Sequence, residues 1–140
     1  MRRDIIKTKI KEIEESIAII KENLPEELEN FLELGLIKDG IYKRIEFAIE
    51  DVIDICAIIN TDLDLGVPTS EEDILENMVR NNILSGSMGG RVKEMKGFRN
   101  FLVHRYGGID DKVAFEVIKG GLEDFSEFVE EIEGFLTKIG

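Results

Sequence analysis

The chain has one cysteine, one histidine and no long uninterrupted apolar run. A single cysteine, Cys56, excludes an intrachain disulfide. It stands in Ile53-Asp54-Ile55-Cys56-Ala57-Ile58, where it reads as a small buried apolar residue and not as a reactive thiol. One Cys and one His cannot fill the four positions of a zinc site without carboxylates, so neither a metal nor a cofactor is expected. No segment approaches the roughly 20 consecutive apolar residues of a membrane span. The amino terminus mixes Ile with Lys and Glu after Met1-Arg2-Arg3-Asp4 and lacks the apolar centre of a secretory signal. These absences lead to the expectation of a cytoplasmic protein.

What is present suits one globular domain over residues 1–140, with 43% apolar and 34% charged residues. The net charge of −12 argues against a generic coat for nucleic acid. The distribution is uneven. Between Arg91 and Lys112 lie six basic residues (Arg91, Lys93, Lys96, Arg99, Arg105, Lys112) against Glu94, Asp110 and Asp111, so this segment is +3 and the remainder −15. A locally basic strip on an acidic protein can meet a phosphate backbone, and a solvated helix face of mixed charge has the same composition.

The periodicity is helical almost throughout. Ile6, Ile10, Ile13, Ile17, Ile20 and Leu24 recur at intervals of four and three, one face of a first helix that ends at Pro25. Residues 26–34 suit a short helix, broken by Gly35 and Asp39-Gly40. A long helix from about Ile41 to Asn60 carries an apolar stripe wide enough for burial on more than one side, centrally in a bundle or at a dimer interface. Gly66-Val67-Pro68 is a loop, and Thr69 with Glu72 matches a capping box for a helix ending near Asn81-Asn82. Ser85-Gly86-Ser87 with Gly89-Gly90 reads as a flexible turn. A further helix spans about Arg91 to His104. Asp110 caps the next, which Gly120-Gly121 interrupts before a last helix with Leu122, Phe125, Phe128, Val129, Ile132 and Leu136. The expected fold is all-α, an up-down bundle of four to six helices.

The chemistry concentrates in Arg99-Asn100-Phe101-Leu102-Val103-His104-Arg105-Tyr106. Histidine exchanges protons near neutrality. Arginine holds phosphate through a planar, permanently charged fork. Together they suit metal-free cleavage of RNA, in which a 2′-hydroxyl attacks the adjacent phosphorus and a cation stabilises the developing negative charge. Asn100 and His104 are an i,i+4 pair, so Asn100 can orient the imidazole. Tyr106 can bond a phosphate or stack on a base. On an ideal helix, however, five residues turn the chain by about 500°, which leaves Arg99 and His104 about 140° apart. Either the helix is distorted near His104, or a second subunit completes the site. The bland alternative is a helix-end histidine serving the dipole beside a surface arginine.

This segment resembles the R-x4-H-x-Y signature of the HepT-like toxins of the HEPN superfamily. The likeness extends to Gly66-Val67-Pro68, to Met95-Lys96-Gly97-Phe98 and to Gly107-Gly108-Ile109-Asp110, and so covers most of the chain. The resemblance implies a homodimer with its cleft at the subunit interface and a metal-independent endoribonuclease acting on mRNA or tRNA. Arg99 and His104 would be the catalytic pair, supported by Asn100 and Tyr106. It also implies a nucleotidyltransferase-fold antitoxin that transfers AMP to Tyr106 and silences the toxin. The other functional expectation is a non-catalytic interaction module that binds nucleotide or that partner.

Overall fold

The computed structural model describes residues 1–104 and 108–140. Among them are six helices: α1 (Arg3–Asn23), α2 (Leu28–Leu32), α3 (Leu36–Asp62), α4 (Glu71–Arg80), α5 (Gly86–Val103) and α6 (Asp111–Lys138). The all-helical bundle expected from the sequence is the one observed. No helix among the described residues is long and apolar enough to cross a membrane.

Helix α3 is the centre. It packs along α1 and also contacts α4 and α5, while α6 closes the bundle against α1, α2 and α5. The wide stripe of α3 explains this, since Ile41, Ile45, Ile49, Val52, Ile55 and Ile59 are all buried. Each such side chain contributes roughly 1.5–3 kcal/mol by leaving water. On α1 the residues Ile6, Ile10, Ile13, Ile17 and Ile20 are buried, as their spacing predicts. Phe31 of α2 is fully buried between Tyr42 (ring centroids 5.9 Å, edge-on) and Phe115 (5.0 Å), which ties α2 to both α3 and α6.

Four boundaries differ from the sequence reading, each for a local reason. Helix α3 starts at Leu36, because Gly35 takes φ +61° and turns the chain there; Gly40 lies inside the helix. The cap of α4 is Ser70, one residue after Thr69. Its hydroxyl accepts from the Asp73 amide at 3.2 Å, and Asp73 in turn accepts from the Thr69 amide at 2.9 Å and from the Thr69 hydroxyl. Ser85 to Gly90 is no flexible turn. Ser85 caps α5, accepting from the Met88 amide at 3.0 Å, and is itself held by Glu131 of α6, which accepts from its amide and hydroxyl. Helix α6 runs unbroken through Gly120-Gly121, because the stripe Phe115, Ile118, Leu122, Phe125 stays in register across them.

Two endings follow the sequence. Asn82 adopts φ +57° after α4, with the Ile83 amide bonded to the Met78 carbonyl and the Asn82 amide to the Val79 carbonyl. This is a Schellman cap with Asn in the left-handed position. Asp110 caps α6 through the Lys112 and Val113 amides.

Candidate functional site

The site residues expected from the sequence lie on the last turn of α5 and just beyond it. Val92, Met95 and Leu102 are buried and seat this helix in the bundle. That seating fixes where its polar residues emerge. Arg99 falls four positions after Met95, on the flank of the buried face, and its side chain is only 17% exposed. Asn100 and His104 are exposed.

Arg99 reaches across to α4. Its Nη2 donates to Glu71 Oε1 at 3.0 Å and its Nη1 to Oε2 at 3.5 Å, a two-pronged contact with one carboxylate. Nη2 also lies 3.4 Å from Asn100 Oδ1. Lys96 Nζ stands 3.8 Å from the same Glu71 oxygen. Glu71 is the first residue of α4, and an acidic group there also meets the positive end of that helix. No local pattern signals this partnership, because Glu71 precedes Arg99 by 28 residues and reads simply as part of a helix-starting acidic run.

His104 is the first residue beyond α5, with φ −91° and ψ 64°. Its amide still donates to the Asn100 carbonyl at 3.0 Å, the last helical bond of α5. Ideal helical register sets positions 99 and 104 about 140° apart. Tyr106, expected to support the site and to be modified, lies outside the described residues, as does Arg105.

Both sides of the motif are anchored. Phe98, just before Arg99, stacks on Phe101 within the motif with centroids 5.8 Å apart. Downstream, Asp111 at the start of α6 accepts from the Tyr42 hydroxyl at 2.6 Å and from Lys38 Nζ at 2.8 Å. Burial alone would raise the Asp111 carboxyl, but these two bonds to α3 outweigh it and hold it below the ordinary range. The basic strip is divided in its use. Arg91 pairs with Asp124 at 3.0 Å and with Glu127, both on α6, whereas Lys96 and Arg99 gather at Glu71.

Comparison with known proteins agrees with this architecture. The family described as ribonuclease HepT-like matches residues 13–132. An mRNA nuclease HepT of Shewanella oneidensis is 30% identical over 97 residues, 69% of this chain and 73% of that protein. A putative RNase of Archaeoglobus fulgidus is 26% identical over 139 residues, 99% of this chain and 98% of the relative. A solved structure of a tri-AMPylated Shewanella oneidensis HEPN toxin in complex with MNT antitoxin superimposes with a TM-score of 0.84. It is 29% identical, and the match covers 94% of this chain and 98% of that one. With a family match spanning most of its length and the same bundle in a solved relative, the chain belongs to the HepT-like ribonuclease family.

Proposed function

We propose that this protein is the toxin of a toxin–antitoxin pair, a metal-independent endoribonuclease with its cleft between two copies of the chain. The observation that carries the reading is the end of α5 in a chain of this family. There a positioned guanidinium, Arg99, and an exposed imidazole, His104, leave the same helix end. His104 takes the proton of a ribose 2′-hydroxyl. The 2′-oxygen then attacks phosphorus, the bond from phosphorus to the 5′-oxygen breaks, and that oxygen leaves with a proton. The products are a 2′,3′-cyclic phosphate and a 5′-hydroxyl. Arg99 stabilises the charge that builds on the non-bridging oxygens. Each chain has one histidine, so a base on one side of the phosphate and an acid on the other call for two copies of His104.

Regulation follows from the same charges. A nucleotidyltransferase antitoxin transfers AMP from ATP to the Tyr106 hydroxyl, with pyrophosphate leaving. The added phosphate then competes with RNA for Arg99 by occupancy and repulsion. The AMPylated state of the solved Shewanella toxin supports this reading.

The test uses purified protein free of antitoxin and unmodified. Wild type cleaves cellular RNA, while Arg99→Ala and His104→Ala each lose at least a hundredfold in rate with their melting temperatures kept. Wild type that binds RNA yet leaves it intact would mean a non-catalytic module. Intact mass after coexpression with the partner shows AMP units in wild type and none in Tyr106→Phe.

A further inference from the structure

We propose that Glu71 is a positioning residue for the cleavage reaction: it holds the Arg99 guanidinium in the orientation that meets the phosphate. The inference rests on the ribonuclease reading above and adds to it a residue from a different helix, outside the R-x4-H-x-Y motif.

An arginine side chain is long and loses considerable rotamer freedom whenever it is fixed on a ligand. Arg99 is already fixed. Its side chain is 17% exposed, and both terminal nitrogens face the Glu71 carboxylate, at 3.0 and 3.5 Å. Glu71 sits at the first position of α4. Buried Leu75, Asn77 and Met78 seat α4 in the bundle, and the Ser70–Asp73 cap fixes the turn that carries Glu71. The Glu71 side chain, 36% exposed, is carried by an element that the cleavage chemistry does not otherwise use.

The charge balance suits a positioner. One carboxylate meets two cations, Arg99 and Lys96, so the cluster keeps a net charge of +1 and still attracts a phosphate. The geometry suits it too. The edge formed by Nη1 and Nη2 is turned to Glu71, which leaves a phosphate to approach from the Asn100 side. There Nη2 makes only the long 3.4 Å contact to Asn100 Oδ1, and that contact yields readily to an anion. Glu71 therefore acts through Arg99, and its removal lets the guanidinium wander without removing its charge. Misplacement of a group that stabilises the transition state lowers kcat more than it raises KM.

The decisive comparison is steady-state cleavage of one RNA by wild type, Glu71→Gln, Glu71→Asp and Arg99→Ala. Melting temperatures are measured alongside. Glu71→Gln is expected to lose about tenfold or more in kcat with KM changed less than about twofold. Glu71→Asp, which keeps the charge, is expected to recover much of the loss. Unchanged kcat in a folded Glu71→Gln protein overturns the proposal. So does a lower KM at unchanged kcat, which would make Glu71 a competitor of the RNA. Should Glu71→Gln melt below the assay temperature, Glu71→Asp decides alone: activity that merely tracks its melting temperature overturns the proposal. A wild type without cleavage defeats the ribonuclease reading itself, and an active Arg99→Ala defeats only the role given to Arg99; either outcome takes Glu71 with it.

Discussion

Asp51 is the carboxylate most disturbed by its surroundings. It lies on α3 facing α1, 7% exposed. Burial chiefly, and then the neighbouring Glu12, push its pKa from 3.8 up to about 6, against the pull of Lys9, whose Nζ is 3.5 Å away. Between those two values the folded protein holds a proton that the unfolded chain releases. Stability from this group therefore falls as pH rises from about 4 to about 6, and the penalty is complete above that. Asp51→Asn removes the titration, while Lys9 keeps Asp54 at 3.1 Å. The variant is expected to be the more stable protein at pH 7, by on the order of 1–3 kcal/mol. Its advantage should shrink toward pH 4. Melting curves across that range check this, and an advantage that grew on acidification would be the wrong sign. Cys56 is the contrasting case, legible from the sequence alone. It is fully buried, and burial pushes its thiol up to about 12, so it stays neutral and apolar.

Glycines separate what was readable at the level of helices from what was not. The apolar spacing gave α1, the body of α3, α4 and the motif helix, because a stripe that repeats every three or four residues has only one efficient way to be buried. Glycine pairs misled, since the same residue marks a turn, a tolerated weak point or a close approach of two helices. Gly35 is a turn. Gly134 lies within α6, and a Cβ placed on it would touch nothing within 4 Å. Gly89 is a close approach: a Cβ there would stand 2.6 Å from Val79 Cγ2, so α5 can lie against α4 only because position 89 has no side chain. Opposite outcomes follow for one chemical change. Gly134→Ala should stabilise by roughly 0.5–1 kcal/mol through helix propensity. Gly89→Ala should destabilise by roughly 1–3 kcal/mol, because stiff, branched Val79 has little room to yield. Urea titrations of the two variants measure both, and equal signs would mean that the contact between α4 and α5 is not as tight as described. The pairing of Arg99 with Glu71 was illegible for a related reason: it depends on how α4 and α5 pack, which no local pattern encodes.

The protein carries twelve net negative charges, so on the proposed reading RNA meets a small cationic site around Lys96 and Arg99, and cleavage would depend on a few well-placed groups and not on a broad basic surface. Helical spacing alone does not bring those groups together within one copy. The His104 amide keeps its helical bond to Asn100, ideal helical register sets positions 99 and 104 about 140° apart, and each chain supplies a single imidazole. The proposed two-fold dimer would resolve both shortages at once if its axis passed near the end of α5, where residues of one copy meet their counterparts in the other. The consequence is quantitative. Subunits of wild type and His104→Ala, mixed in equal amounts and allowed to exchange, pair at random, and about one quarter of the dimers carry two histidines. If cleavage needs one His104 as base and the other as acid, about one quarter of the wild-type rate remains, and the rate follows the square of the wild-type fraction. If each copy works alone, about half remains and the dependence is linear. Sedimentation of the same mixtures establishes that the partners have exchanged. A linear dependence in fully exchanged dimers would remove the shared cleft and leave a complete site in each chain.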